Sequence, residues 1–478
     1  MLVMTIVQRG VGFFRGIWLC RLMDDAAVGQ WSMALGFITM ATPLMMLGLP
    51  GAMPRYVERY RLAGQLPRFI ARVIVGTLVG SVIAISVVMV APQWVGWLIF
   101  RDVASGSLVG CIAIALVAVL VFNFVNELVS SLRQVRTVSV MQFIQGVGFT
   151  ILGLGVLYGG GGLPEVILAY AASSVLATIP GAYVIARDWS GLPTSELTFD
   201  APMMWKSLLP YAAALWMMNL LTNSFELSDR YMILHWTPGG ETIASAAVGQ
   251  YHSGRLIPTL LTSLAMMLGG VLMPYLSADW EAGRTDAVQQ RLGQVLYWMA
   301  FTFTACAAIT IGLSPLIFST LLQGRYSDGL AIQPMAFAFC IWGATVTVAQ
   351  SYLWVRERGG LMAVALIAGL VVNAALNFAW LPVYGLAGAV AATLVSNGIV
   401  MLVTGMMMAR AGYRLDANLV WVAVLPLALV IDWRIAIAVS IASLLLHREA
   451  YGWTREAVET IGARMTNRSS ATAARVPS

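Results

Sequence analysis

Three arginines stand where a charge is hardest to keep: Arg9, Arg15 and Arg255 lie inside long apolar runs. An arginine at the centre of a bilayer costs roughly 2.5–3.5 kcal/mol on insertion scales, so each is a candidate for function. The planar guanidinium fork matches phosphate or carboxylate oxygens, which makes anion binding the chemistry to expect. Arg15 lies about halfway along its run; Arg9 is nearer the end and could instead snorkel to water. Arg255 stands three residues before Pro258 and nine after the start of its run, about 13 Å in. Arg55, at the end of another run, could meet an incoming anionic group or serve as an ordinary basic anchor.

Two polar stripes accompany these charges. Asn219, Asn223, Glu226 and Arg230 recur at i, i+4, i+7 and i+11, one face of a helix, and Glu226 precedes Arg230 in the favourable acidic-first order. Such a face should line a cavity rather than lipid. Asn123, Glu127 and Ser130 form a similar stripe, in which Glu127 is a candidate for cation or proton coupling or a member of a structural hydrogen-bond cluster. Asn373 and Asn377 share the i, i+4 spacing and read as packing contacts between helices.

Enzyme chemistry finds no support. The three histidines, His235, His252 and His447, come without an HExxH, GxSxG or P-loop pattern. Cys20, Cys111, Cys306 and Cys340 lie in apolar runs without ligand spacing and read as buried small hydrophobes. No cofactor, metal site or catalytic residue is therefore expected.

The elements that must position these side chains follow from composition. With 59% hydrophobic and only 10% charged residues in 478, the chain reads as an all-α polytopic membrane protein. Apolar runs near 2–22, 31–53, 73–99, 108–130, 139–158, 165–186, 207–228, 246–273, 292–318, 331–354, 361–381, 386–409, 418–431 and 434–447 predict about fourteen spans. The last two are short enough for a tilted or re-entrant pair. The first run carries Arg9 and Arg15 and ends in "CRLMDD" without a small-residue cleavage site, so it is expected to remain as a span.

Basic residues set the orientation. With a cytoplasmic N-terminus, 20 of the 28 lysines and arginines fall on the inner side and five, Arg21, Arg101, Arg230, Arg325 and Arg434, on the outer. Both termini are then cytoplasmic. The net charge of +6 is accounted for by inner loops beside anionic lipid, and no soluble basic face suggests nucleic acid.

"AAVGQW" at 26–31 returns as "AAVGQY" at 246–251, 220 positions later. At the same offset Leu44, Met46, Met53 and Pro54 match Leu264, Met266, Met273 and Pro274; one residue out of that register, "LAGQ" at 62–65 and "EAGR" at 281–284 place a glycine in each inner loop. Six spans separate the copies, so both start on the outer side. Two parallel halves imply a pseudo-twofold axis along the membrane normal, a site between them and rocking as the means of alternating access. The expected organisation is an N-lobe at 1–187 (spans 1–6), a linker at 188–206, a C-lobe at 207–410 (spans 7–12), a helix pair at 411–447 and a cytoplasmic tail at 448–478. Residues 466–478 lack periodicity and read as disordered.

Several segments carry a resemblance. "NAALNFAWLPVYGLAGAVAATLVSN" at 373–397, "LCRLMDDAAVGQWSMAL" at 19–35, "FDAPMMWKSLLPY" at 199–211 and "SDRYMIL" at 228–234 resemble the polysaccharide flippases of the multidrug/oligosaccharidyl-lipid/polysaccharide (MOP) exporter superfamily. The likeness runs from about residue 5 to 410. "QRGVGFFRGIWLCR" also resembles the lipid II flippase branch, as does Arg255, which follows an aromatic residue and precedes a proline. The resemblance implies a fourteen-helix, two-lobe carrier in the bacterial inner membrane. It would move a polyprenyl-diphosphate-linked oligosaccharide outward for surface polysaccharide assembly, beside a polymerase and glycosyltransferases. On that reading Arg9, Arg15, Arg55, Arg255, Asn219, Asn223, Glu226 and Arg230 are the substrate-binding candidates. The alternatives are a lipid II flippase, a cation-coupled multidrug exporter of the same superfamily, for which the intramembrane carboxylates are few, and a non-transporting scaffold.

Overall fold

The computed structural model describes residues 2–101, 106–189, 191, 199–415 and 417–446. Every one of the fourteen apolar runs falls on one helix or on successive helices, and no strand occurs among the described residues. The interior of the expected linker and the tail from 447, with His447, lie outside them.

Helix α1 (Leu2–Leu22) leads to α2 (Asp25–Met45), which Asp24 starts by accepting from the Ala27 amide at 2.7 Å. The expected second span continues into α3 (Leu49–Leu62), bent by 43° from α2. The bend has a local cause: Leu47 and Gly48 both take left-handed backbone, with φ of 53° and 67°. The third run divides at Ala91 into α4 (Leu66–Val90) and α5 (Pro92–Phe100), where Pro92 takes a first-turn position that needs no amide donor.

Next come α6 (Gly106–Ser131), α7 (Val135–Tyr158), α8 (Leu163–Trp189) and α9 (Ala201–Trp236). Helix α9 has 36 residues, about 54 Å and longer than the bilayer core. The eighth run also divides, into α10 (Glu241–Arg255) and α11 (Pro258–Glu281), so the chain breaks directly after Arg255. The remaining helices are α12 (Thr285–Thr320), α13 (Ser327–Ala331), α14 (Gln333–Ala349), α15 (Ser351–Val355), α16 (Met362–Arg410), α17 (Ala417–Ile431) and α18 (Trp433–Leu446). Helix α16 covers two spans and is interrupted at Gly385, φ 55° and ψ −139°, a conformation open to glycine. Eight described helices are long and apolar enough to cross a membrane on their own, nine with the bent α2–α3 pair. The closing helices, of 15 and 14 residues, reach only about 22 Å.

The chain packs into two compact units. The first comprises Met1–Leu260, Leu316–Ile332 and Leu366–Ser396; the second comprises Leu261–Pro315, Gln333–Ala365 and Asn397–Ser478. In the first, α3 and α4 share a core with α6 and the start of α9, in which Met53, Phe69, Ile70, Met204 and Leu208 are buried. Helix α9 lies close on the α2–α3 bend: a side chain at Gly48 would strike the Ala212 carbonyl, and the Trp216 indole donates to the Leu44 carbonyl at 3.2 Å.

In the second unit α14 is almost wholly buried, and Trp342 donates to the Ala423 carbonyl of α17 at 3.0 Å. Asp279, buried at the end of α11, holds Arg284 at 2.7 Å and Arg291 at 2.6 Å. Of the four cysteines Cys20 and Cys340 are buried and Cys111 is half-buried, while Cys306 is exposed on α12. The expectation of burial fails for Cys306 because a weakly polar thiol on a helix facing lipid needs no cover from the chain.

Candidate functional site

The repeated sequence marks a crossing. Helices α2 and α10, which carry the two copies, pack against each other within the first unit. A Cβ on Gly29 would meet the Ser245 carbonyl and stand 3.0 Å from the Gly249 nitrogen; one on Gly249 would meet the Asp25 carbonyl and stand 3.2 Å from the Gly29 nitrogen. Each contact is the counterpart of the other under exchange of residues 220 positions apart, so α2 and α10 cross with a local pseudo-twofold symmetry. Side chains extend the crossing. Gln30 donates to Glu241 at 3.2 Å, and Gln250 donates to Asp25 at 3.3 Å and to the Arg325 carbonyl at 3.0 Å.

More contacts gather toward the same, expected outer, ends of the helices. Arg101 donates to the Leu234 and Thr237 carbonyls at 3.1 and 3.0 Å, satisfying acceptors that the end of α9 leaves open. The Tyr326 hydroxyl donates to the Cys20 carbonyl at 2.9 Å. The inner-loop glycines of the repeat also share a role, since Gly64 and Gly283 both take left-handed backbone, φ 65° and 73°, after α3 and α11.

Inward of the crossing lies a buried charged network. The fully buried Tyr251 donates its hydroxyl to Asp229 Oδ2 at 2.7 Å and accepts from Arg255 Nη1 at 3.0 Å. The Arg255 guanidinium carbon also lies 5.1 Å from the centre of the Tyr251 ring. On its other oxygen Asp229, 2% exposed, accepts from Asn373 Nδ2 at 2.8 Å and Asn377 Nδ2 at 3.3 Å. Ser228 donates to Asn373 Oδ1 at 3.0 Å. Arg230 points to the Ser32 carbonyl of α2 at 3.4 Å, a reach that Gly36 leaves open, and its Nε is buried without a partner among the described residues. The charges of Arg230 and Arg255 act on each other and on His252, with Asp229 and Glu226 as the nearby anions.

The sequence candidates therefore separate. Arg230 and Arg255 share one neighbourhood, but Glu226 is exposed and closes no ion pair with Arg230 among the described residues, because Arg230 turns across to α2 instead. Asn219 is exposed and Asn223 half-buried, and Asn223 donates back to the Asn219 carbonyl at 2.8 Å.

Arg15 occupies a second place, on α1 against α7. Its Nη1 donates to the Gly146 carbonyl at 3.1 Å and approaches Thr150 Oγ1 at 3.5 Å, while its carbon lies 4.6 Å from the Phe149 ring centre. Phe149 in turn packs on Trp31 and Tyr170, an aromatic wall suited to a cation. Arg9 is exposed, as snorkelling requires. Arg55, also exposed, stacks over Tyr211 at 4.6 Å. Glu127 is half-buried one turn from the end of α6.

Asp229 and Tyr251 are the members that sequence reasoning passed over. Asp229 follows the expected run 207–228 directly, so the test of a charge inside an apolar run, which picks out Arg255, stops one residue short of it. It stands beside Arg230 in "SDRYMIL", about a quarter turn round the helix from the polar stripe.

Fold comparisons define the class. The chain is similar to "Lipid II flippase MurJ, inward closed conformation" at 13% identity, covering 94% of this chain and 98% of that one, with a TM-score of 0.70. It is similar to an inward-facing multidrug resistance MATE family transporter of the MOP superfamily at 14% identity, covering 84% and 94%, TM-score 0.61. A point mutant of the Vibrio cholerae MATE transporter VcmN matches at 14% identity over 85% and 96%, TM-score 0.58. The chain shares the all-helical polytopic fold of these solved proteins. The profile of the family described as "Polysaccharide biosynthesis protein" matches residues 1–280, more than half the chain, and the chain belongs to that family. No curated protein sequence matches it.

Proposed function

We propose that the protein is a flippase that carries a polyprenyl-diphosphate-linked oligosaccharide from the inner to the outer leaflet of the bacterial cytoplasmic membrane for surface polysaccharide assembly. The observation that carries this reading is the pair Arg230 and Arg255, half-buried in one neighbourhood, with Arg255 anchored through Tyr251 to Asp229 and Arg230 turned to the Ser32 carbonyl. A diphosphate head cannot cross hydrocarbon alone, and fixed guanidinium donors offset its lost hydration. Membership of a polysaccharide-biosynthesis family supports the glycan half of the substrate.

On this reading the expected lobes at 1–187 and 207–410 rock about the pseudo-twofold axis, with 188–206 as linker. The Gly29–Gly249 crossing seals the outer side while the head group enters from the cytoplasm. Arg55 receives it, Arg15, Arg230 and Arg255 hold it, and Asn219, Asn223 and Glu226 line the way. Glu127 is the coupling candidate, and a polymerase and glycosyltransferases act before and after transport.

A lipid II flippase is the second reading, favoured by the MurJ fold likeness and served by the same diphosphate chemistry. A cation exporter is less well supported, because Asp229 already receives Tyr251 and both asparagines. The test is charge reversal. Arg15→Glu and Arg255→Glu should each abolish polymer export while the protein remains inserted and folded. Unchanged export in both removes the assignment.

A further inference from the structure

We infer that Tyr251 is a positioning residue for Arg255, the middle member of a strut that runs from Asn373 and Asn377 through Asp229 to the arginine. The inference rests on the reading of Arg255 as an anion-binding residue and adds how its guanidinium is aimed.

The geometry is that of a chain with assigned donors. A phenol has one proton to give, and the 2.7 Å contact gives it to Asp229 Oδ2, since a carboxylate only accepts. The hydroxyl oxygen is then polarised toward negative and accepts the hydrogen bond that Arg255 Nη1 donates at 3.0 Å. Asp229 cannot swing away, because its second oxygen receives Asn373 at 2.8 Å and Asn377 at 3.3 Å from α16. Asn373 is itself fixed by Ser228 at 3.0 Å and by Asn377 at 3.2 Å. Tyr251, Asn377 and Asn373 are 0 to 1% exposed, so rotation of any of them meets packed neighbours.

Arg255 needs such a brace. It is the last residue of α10, next to a break, where a long side chain has several rotamers available. With Nη1 fixed and the side chain along the Tyr251 ring, the planar fork takes one orientation. The anionic end of the strut also lowers the cost of holding Arg255 beside Arg230.

The experiment uses purified full-length protein in detergent and geranylgeranyl diphosphate as probe, with geranylgeranyl monophosphate for comparison. Tyr251→Phe keeps the ring and removes the hydroxyl. Asp229→Asn leaves one oxygen where two sets of donors need two. Each should weaken diphosphate binding roughly tenfold and reduce the preference for diphosphate over monophosphate. The double variant should be no weaker than either single one, because one strut is broken in all three. Thermal melting should stay within a few degrees of wild type, a readout that separates aiming from folding. If Tyr251→Phe binds both probes as wild type does while Arg255→Ala loses the diphosphate, the strut is overturned and the anion site survives. Additive losses in the double variant also overturn it. If Arg255→Ala binds diphosphate normally, the functional reading itself fails.

Discussion

Gly29 and Gly249, 220 positions apart, lie against each other's helices, each nitrogen within 3.0 to 3.2 Å of the place where the other's side chain would begin. Neither position can carry even a methyl group without displacing a backbone carbonyl, so the repeated "AAVGQ" is the sequence of two helices that close on one another.

Opening this crossing should expose what lies near it. Cys20 is fully buried, with its carbonyl held by Tyr326. In a background where Cys111, Cys306 and Cys340 are replaced by alanine, Gly29→Ala or Gly249→Ala should speed labelling of Cys20 by a thiol reagent added from outside. The expected gain is about tenfold or more, since backbone atoms must shift. Labelling at the parental rate would show that the crossing does not seal this side.

Arg15 is held by a carbonyl, a hydroxyl and an aromatic face together. Arg15→Lys retains the charge but not the fork, so transport should fall by roughly a factor of ten, whereas Thr150→Val, which removes the 3.5 Å contact and the hydroxyl's own bond to the Gly146 carbonyl but leaves that carbonyl to Arg15, should cost less than threefold. Initial rates in vesicles check both.

Asp279→Asn should lower stability by about 1–2 kcal/mol. The carboxylate is buried between Arg284 and Arg291, but those side chains are 63% and 43% exposed, and water recovers part of the loss. A denaturation midpoint measures it, and an unchanged midpoint would show that the pair contributes nothing.

Glu127→Gln distinguishes coupling from a structural role. If Glu127 carries the driving ion, the variant should still equilibrate substrate across the bilayer but fail to accumulate it against a gradient. Normal accumulation would assign Glu127 to helix packing.

Much of the fold was legible because a bilayer imposes one rule: long apolar runs become helices, and all fourteen did. The breaks were not. Hydropathy averages over Leu47–Gly48, Ala91 and Leu256–Ile257, although Pro50, Pro92 and Pro258 stood just beyond each as first-turn signals. Arg255 was legible as a charge in an apolar run, and the glycine pair as a repeat. The strut was not, because Tyr251 is an ordinary aromatic until Asp229, itself held by two asparagines of α16 more than 140 residues farther along the chain, is brought beside it. Glu226 and Arg230 had helical spacing on their side, yet Gly36 on a neighbouring helix gave Arg230 a different direction, which local periodicity cannot foresee.

On the proposed reading, half-buried arginines carry an anionic lipid-linked glycan. That reading is tested most directly in proteoliposomes, comparing a fluorescent polyprenyl-diphosphate-linked glycan with an organic cation for wild type and Arg255→Glu. Wild type should move the glycan lipid, the variant should not, and neither should move the cation. Movement of the cation alone, unaffected by Arg255→Glu, would contradict the reading.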